Sequence, residues 1–382
     1  MPSSQPYTVA CNGGLVKSVN SIDLLKTPGL AKTLQNFEVA TEGGYRRING
    51  YTKYKIDGVT ASQPSGATDT ILGVFPYADG VVVCVSDDIY FSNDGANWLQ
   101  INKLSANSGD DHTTFTGKAV TARTNQGQCS FALFEGATFD YGELNIADGA
   151  NVVFSFRMEG TGNLNTRTFF TSEVQVDTTK SVKYVTVHDH HLIAAGVEDN
   201  LNTLYYSTKN TFSSFNNTQK IAISDQIVGI KGFREDLFIF CENSIHKLIN
   251  INDSNNIAIV PVAENVGCLS GYSIQEIGGD LMFLAPDGIR TVAGTARIGD
   301  VELGTVSKAI QPVIVSLARN IDNFTISSLV IREKSQYRLF YTNTGQPNAS
   351  QKGIIGTLRP NGFEWSETKG LEVTAINSNF DE

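Results

Sequence analysis

The sequence predicts an all-β chain: a β-propeller of about six or seven four-stranded antiparallel blades with an extended N-terminal arm. Three observations lead there. From about residue 69 onward, short runs rich in Val, Ile, Thr, Phe and Tyr alternate with period two, the signature of half-buried strands. Asp-Gly, Asn-Gly and Gly-Gly clusters break those runs, supplying the residues that tight hairpin turns need. The resulting units recur at a spacing of roughly 45 residues, and because an isolated meander buries one face at best, recurrence argues for sheets stacked about an axis.

Residues 1–68 read as the arm and docking segment, with short apolar pieces, Pro28-Gly29, Gly43-Gly44 and a Ser/Gly/Thr-rich stretch from about residue 60. Residues 69–382 read as the propeller. Its first unit runs Thr70–Phe75, a turn at Ala78-Asp79-Gly80, Val81–Ser86, Asp88–Ser92, a turn at Asn93-Asp94-Gly95, and Trp98–Ile101. The stretch 107–178 is looser, with strands at Gly117–Ala122, Cys129–Phe134 and Val152–Phe156; one enlarged blade and a blade carrying an inserted loop both fit. A further unit follows in Val182–Val187, Leu192–Gly196, Thr203–Ser207 and the pair Phe212 and Phe215. Another comprises Ile227–Ile230, Leu237–Cys241, Ser244–Leu248 and Ala258–Val262. Ser273–Ile277, Leu281–Ala285 and Ile289–Val292 begin the next, and residues 322–370 hold the last. One short helix is expected at Ser307–Asn320, where Ile310, Val313, Ile314 and Leu317 recur at helical spacing, although Pro312 weakens it. Leu371–Asn377 reads as the opening strand of a further blade, which either the N-terminal region or additional chain would complete, since an open end leaves unpaired strand edges.

Composition bounds the function. A chain of 382 residues at 41% hydrophobic and 18% charged can bury a large core. No apolar run approaches the roughly 20 residues of a membrane helix, and Met1–Ala10 has neither a basic head nor an apolar stretch, so neither a membrane protein nor an uncleaved secretory precursor is expected. The five cysteines, at 11, 84, 129, 241 and 268, stand singly and read as small buried residues of a reducing compartment. The net charge of −10, with no basic stripe, argues against a protein that grips nucleic acid, because neutralising phosphates drives such binding.

Chemistry-bearing groups are sparse. His188-Asp189-His190-His191 is the densest set of metal-type ligands, but it lies between two apolar strand runs and reads as a solvated hairpin turn. His112 and His246 stand alone. Ser92-Asn93-Asp94-Gly95-Ala96-Asn97-Trp98 resembles a shortened Asp-box, a turn of sialidase-like propellers whose bonds are local and structural. A sialidase site would also need clustered arginines, and nothing in the spacing of Arg123, Arg157, Arg167, Arg234 and Arg290 singles them out. No GxxxxGK[ST], HExxH, GxSxG or strand-to-helix GxGxxG occurs; no enzyme, cofactor or metal site is expected. Basic and aromatic residues interleave in Tyr45-Arg46-Arg47 and Gly50-Tyr51, read as an exposed turn that docks against a protein neighbour.

Two stretches resemble a known family. Gly13-Gly14-Leu15, Asn36-Phe37-Glu38, Gly43-Gly44-Tyr45-Arg46-Arg47 and Gly50-Tyr51 resemble the N-terminal passage of virion structural proteins of tailed bacteriophages. Asp225–Ile230, Phe233-Arg234-Glu235, Leu237–Phe240, Ser244-Ile245, Gly267-Cys268 and Asp280–Val292 are similar to the tail nozzle, or tail hub, proteins of short-tailed phages. The resemblance implies a non-enzymatic subunit of the virion tail, assembled in the host cytoplasm as a ring, commonly of six copies, below the portal and adaptor. Its partners would be copies of itself, the portal, adaptor and other tail proteins, and genomic DNA passing without sequence-specific binding. Asn36, Phe37, Glu38, Tyr45, Arg46, Arg47 and Tyr51 are the interaction residues it points to. An acidic channel wall would let DNA slide, with repulsion reaching only about 8 Å at physiological salt. The rival class is a carbohydrate-binding or glycoside-processing propeller, in which a concave pocket with convergent arginines and carboxylates would serve a self-sufficient monomer.

Overall fold

The computed structural model describes residues 12–24, 26–40, 44–55, 57–64, 70–86, 88–103, 127–135, 140–162, 164–293, 305–343 and 346–378. A one-turn helix, α1 (Ser21–Leu24), precedes a two-stranded ribbon of β1 (Phe37–Val39) and β2 (Tyr45–Arg47). Each later sheet is an antiparallel meander of consecutive strands. Blade I is β3 (Ile71–Tyr77), β4 (Gly80–Val85), β5 (Asp88–Ser92) and β6 (Leu99–Gln100). Blade II is β7 (Ser130–Phe134), β8 (Glu143–Ala147), β9 (Val153–Glu159) and β10 (Thr168–Val174). Blade III is β11 (Val182–His188), β12 (His191–Val197), β13 (Thr203–Tyr206) and β14 (Lys220–Ala222). Blade IV is β15 (Ile227–Phe233), β16 (Asp236–Cys241), β17 (Ser244–Ile249) and β18 (Ala258–Glu264). Blade V is β19 (Gln275–Ile277), β20 (Asp280–Ala285) and β21 (Gly288–Thr291), extended by an isolated bridge between Arg290 and Thr305. The helix α2 (Gln311–Arg319) leads into blade VI, made of β22 (Thr325–Ile331), β23 (Gln336–Thr342), β24 (Lys352–Arg359) and β25 (Gly362–Lys369). The chain is therefore an all-β propeller with six blades among the described residues.

Turn chemistry sets the hairpins. At Asp189-His190 and at Gly278-Gly279 both turn residues have positive φ, from 47° to 78°, the type I′ geometry whose twist matches the flanking strands. The His-rich cluster is thus the β11–β12 turn, as expected, although His191 is buried, with Nδ1 2.6 Å from the Ser207 carbonyl. Pro312 sits in the first turn of α2, where its missing N–H leaves no helical bond unmade.

The chain forms two compact units: one holds blades I–IV, and the other holds blades V and VI together with the segment up to Tyr51. In the first unit β11 lies beside both β7 and β15, and in the second β19 lies beside β22; first strands of successive blades are neighbours, the innermost position of a propeller. Blades I and II close on one core of Tyr77, Val82, Phe91, Leu144, Phe154, Phe156 and Phe169, while Val153, Ala147 and Phe134 turn the other way to meet Val182, Val185, Leu192 and Ala194 of blade III. A blade sandwiched in this way needs apolar side chains on both faces, which is why every residue of β12 is buried.

Blade II is a four-stranded meander that includes the strands expected at Cys129–Phe134 and Val152–Phe156, while the strand expected at Gly117–Ala122 lies outside the described residues. One sequence expectation changes. Residues 371–378 form no strand. Instead the Val373 carbonyl accepts bonds from the Thr342 and Ser327 hydroxyls, and Thr374 Oγ1 donates to the Ile71 carbonyl (2.6 Å). Over its described part up to Tyr51 the N-terminal segment packs on blade VI. Leu15 and Asn36 donate backbone bonds to the Trp365 and Glu367 carbonyls, and Leu15, Val16, Leu34 and Val39 are buried. The edge of β25 is thereby covered, the protection that an exposed strand edge requires.

One local motif recurs. The Asp94 carboxylate accepts from the amides of Ala96 and Asn97 and from the Asn97 side chain (2.8, 2.8 and 2.6 Å). Asp148 does the same with Ala150 and Asn151 (2.9, 2.9 and 3.0 Å), and Asp253 with Asn255 and the Asn256 side chain. Asp-x-x-Asn is therefore a repeated, self-satisfied turn, of which the sequence reading found only the first. Asp94→Ala should cost about 1 kcal/mol, because three bonds to a charged group at a half-buried position return to water; a urea midpoint unchanged from wild type would refute this.

Candidate interaction site

The ribbon β1–β2 holds five of the seven interaction residues, Phe37, Glu38, Tyr45, Arg46 and Arg47, with Asn36 just before it and Tyr51 just after. Asn36, at φ 59°, turns the chain into β1, and its side-chain amide brackets the Lys369 backbone, accepting from N at 2.9 Å and donating to O at 3.1 Å. The ribbon's register then places Glu38 opposite Arg46. Glu38 is fully buried, and a buried carboxylate is tolerated only when paired and hydrogen-bonded. Here three cations meet it: Arg46 Nε at 2.7 Å, Lys334 Nζ at 3.0 Å and Arg338 Nη2 at 2.6 Å. Burial pushes the Glu38 pKa up, but the bonds from Lys334 and Arg46 and the charges of Lys334 and Arg338 outweigh it, holding the group below the ordinary carboxylate value. Tyr45 closes the arrangement by accepting the Gly14 amide on its hydroxyl.

The other three residues face outward. Phe37 is 41% and Tyr51 88% exposed, and Arg47 is exposed beside them in sequence. Asn36, Glu38, Tyr45 and Arg46 thus fasten the ribbon to blade VI, while Phe37, Arg47 and Tyr51 are available to a neighbour. Sequence reasoning missed Lys334 and Arg338, which no local spacing connects to residue 38. Arg359, which donates to the Ala40 carbonyl, was missed for the same reason.

Groups that might have built a glycan-processing site are engaged separately. Arg167 chelates Asp79 through both terminal nitrogens (2.7 and 2.5 Å). Arg157 lies between Glu143 and Glu159 and over the Phe170 ring at 4.0 Å, and Arg290 pairs with Asp287. Arg123 and His112 lie outside the described residues. No group of three or more His, Cys, Asp or Glu that could hold a metal ion occurs among the described residues. No described helix is long and apolar enough to cross a membrane.

No family profile matches the chain, and no curated protein sequence does. Among solved structures it is similar to PorZ, a surface component of the type-IX secretion system of Porphyromonas gingivalis (11% identity, TM-score 0.44, covering 80% of this chain and 48% of that one). It is also similar to the Pan2 WD40 domain of Neurospora crassa (11%, 0.35, 58% and 60%) and to the extracellular domain of the putative one-component system BT4673 of B. thetaiotaomicron (11%, 0.38, 75% and 33%). The matched regions span less than two thirds of each of these structures. With TM-scores below 0.5 these likenesses carry no argument, and the propeller assignment rests on the sheets themselves.

Proposed function

We propose that the chain is a structural, non-enzymatic subunit of the tail nozzle or hub of a short-tailed bacteriophage, acting in the virion by packing against copies of itself in a ring and against the portal and adaptor. The observation that carries this reading is the ribbon. The segment that resembles the phage virion proteins is fixed to blade VI by a four-member charge cluster around the buried Glu38, and it holds Phe37, Arg47 and Tyr51 outward. Solvent-facing aromatic and arginine side chains are among the residue types that dominate protein–protein contacts. A fixed ribbon also loses little entropy when it docks. DNA would pass such a ring without sequence-specific contact, in keeping with a chain whose net charge is −10.

The outward residues give the test. The triple variant Phe37→Asp, Arg47→Glu, Tyr51→Ser is expected to remain folded, because those side chains are exposed, and to lose at least about tenfold in ring or particle assembly, one desolvated aromatic anchor alone contributing that much. Size-exclusion and particle counts with purified portal and adaptor read it. Full assembly by the triple variant, or a wild-type chain that ignores those partners and stays monomeric, would refute the reading.

A further inference from the structure

Beside the ribbon, the unit of blades V and VI contains a cleft of about 750 Å³ between α2, the β23–β24 connection and β25. We propose that this cleft binds an acidic saccharide, a hydroxyl-rich ligand carrying carboxylates, of uronic-acid type. The volume falls within the range of small-ligand sites, roughly 300–1,000 Å³. Its charge is the first indication. Lys352 and Lys369 face each other directly across β24 and β25, and like charges set opposite in a sheet are unfavourable. Neither ammonium has an ion-pair partner among the described residues, whereas Lys17 on the same wall is already matched by Glu367 at 3.4 Å. Two uncompensated cations on one wall, in a chain of net charge −10, leave room for an anion.

The remaining lining says which kind. Gln35, Asn343 and Gln346 bring side-chain amides to the cleft, and none of the three amides has a hydrogen-bond partner among the described residues. An amide offers donor and acceptor together, the combination that adjacent hydroxyls accept and that a simple inorganic anion does not need. Phe324 adds an apolar surface, braced edge-to-face by Tyr341 with ring centroids 5.5 Å apart. A pyranose presents an apolar C–H face to such a ring while its hydroxyls and carboxylate reach the amides and lysines. An apolar peptide would find little beyond that ring, and the amides would lose water without replacement.

Titration calorimetry of the full chain with trigalacturonate, maltotriose and inorganic phosphate tests the proposal. Trigalacturonate should bind saturably, with maltotriose at least about tenfold weaker because it lacks the charge-assisted bonds. Lys352→Ala with Lys369→Ala should weaken trigalacturonate by about tenfold or more, and Asn343→Ala by a smaller factor, each with a wild-type thermal transition. Lys209→Ala, an exposed lysine outside the cleft, should leave affinity unchanged. Absence of saturation, full affinity in the lysine double variant, or equal binding of inorganic phosphate would overturn the assignment. None of these results depends on ring assembly, so the docking proposal stands or falls separately.

Discussion

Glu38→Gln is expected to destabilise the unit of blades V and VI by about 3 kcal/mol, since removing one member of a buried ion cluster strands the others. The substitution preserves shape and removes only the charge. Arg46, Lys334 and Arg338, all within 3.0 Å of the native carboxylate, would then repel one another with no counter-charge. Arg46 keeps 45% of its side chain in water and can turn away, which limits the loss to the lower part of the usual range. Burial already pulls the Arg338 pKa down even with Glu38 present, so this guanidinium suffers most. Adding Arg338→Met to Glu38→Gln should recover part of the stability, because a desolvated, unpaired charge is then replaced by an apolar group. The same carboxylate predicts a pH dependence. Folding lowers the Glu38 pKa, so the folded chain binds this proton less readily than the unfolded one. The stabilisation is fully present above the ordinary carboxylate value and is lost as the pH falls through the lower, folded value. Chemical denaturation across that acid range, with hydrogen exchange of β22–β25 as the local probe, should show a steeper acid loss in wild type than in Glu38→Gln. Parallel curves, or a variant within about 0.5 kcal/mol of wild type, where ordinary surface substitutions fall, would show that the cluster does not hold the ribbon.

Blades with short turns and clean alternation were legible in the sequence because both signals are local. The Asp-Gly and Gly-Gly turns and the runs at Val81–Val85, Leu237–Cys241 and Leu281–Ala285 coincide with β4, β16 and β20. β8 was hidden because Glu143 and Asn145 interrupt the apolar pattern, yet both are buried, Glu143 accepting from the Ser155 hydroxyl (2.6 Å) and the Asn145 amide nitrogen donating to backbone carbonyls. Long-range satisfaction of a polar group leaves no trace in periodicity. The same limit hid the role of Arg46. In sequence it looked like one of two equivalent surface arginines, but the partners that complete the Glu38 cluster lie about three hundred residues away. Arg46 anchors the ribbon while Arg47 points outward, a division that only the β1–β2 register settles. The cleft was invisible for a related reason, since its amides and lysines come from the N-terminal segment, the β23–β24 connection and two strands.

Trp365→Ala should cost about 4 kcal/mol, the magnitude seen when a large aromatic leaves a cavity in a packed interior. Trp365 is 1% exposed and its surroundings are built for its size. It lies directly opposite Gly356 across β24 and β25. A β-carbon placed on that glycine would fall 2.7 Å from the indole ring, so the glycine is required by the ring that covers it. Phe363 stacks on one face with centroids 5.5 Å apart, and Nε1 donates to the Val306 carbonyl at 3.2 Å. The backbone of Trp365 also receives the Leu15 amide, so loosening β25 should loosen the N-terminal segment too. Trp365→Phe separates the contributions: it loses the Nε1 bond and some volume but keeps a ring over Gly356, and should cost about 1.5 kcal/mol. Gly356→Val tests the same contact from the other side, forcing the indole out of place for about 2 kcal/mol. Trypsin provides a second readout, because Lys17, Lys26 and Lys32 lie in the segment that β25 holds; cleavage there should accelerate in Trp365→Ala and much less in Trp365→Phe. If Trp365→Ala and Trp365→Phe lost equal stability, the indole's hydrogen bond rather than its bulk would be what fastens the segment. If neither altered cleavage at the lysines, the segment would be held by the Glu38 cluster and the Asn36 and Lys17 contacts rather than by the packing of Trp365.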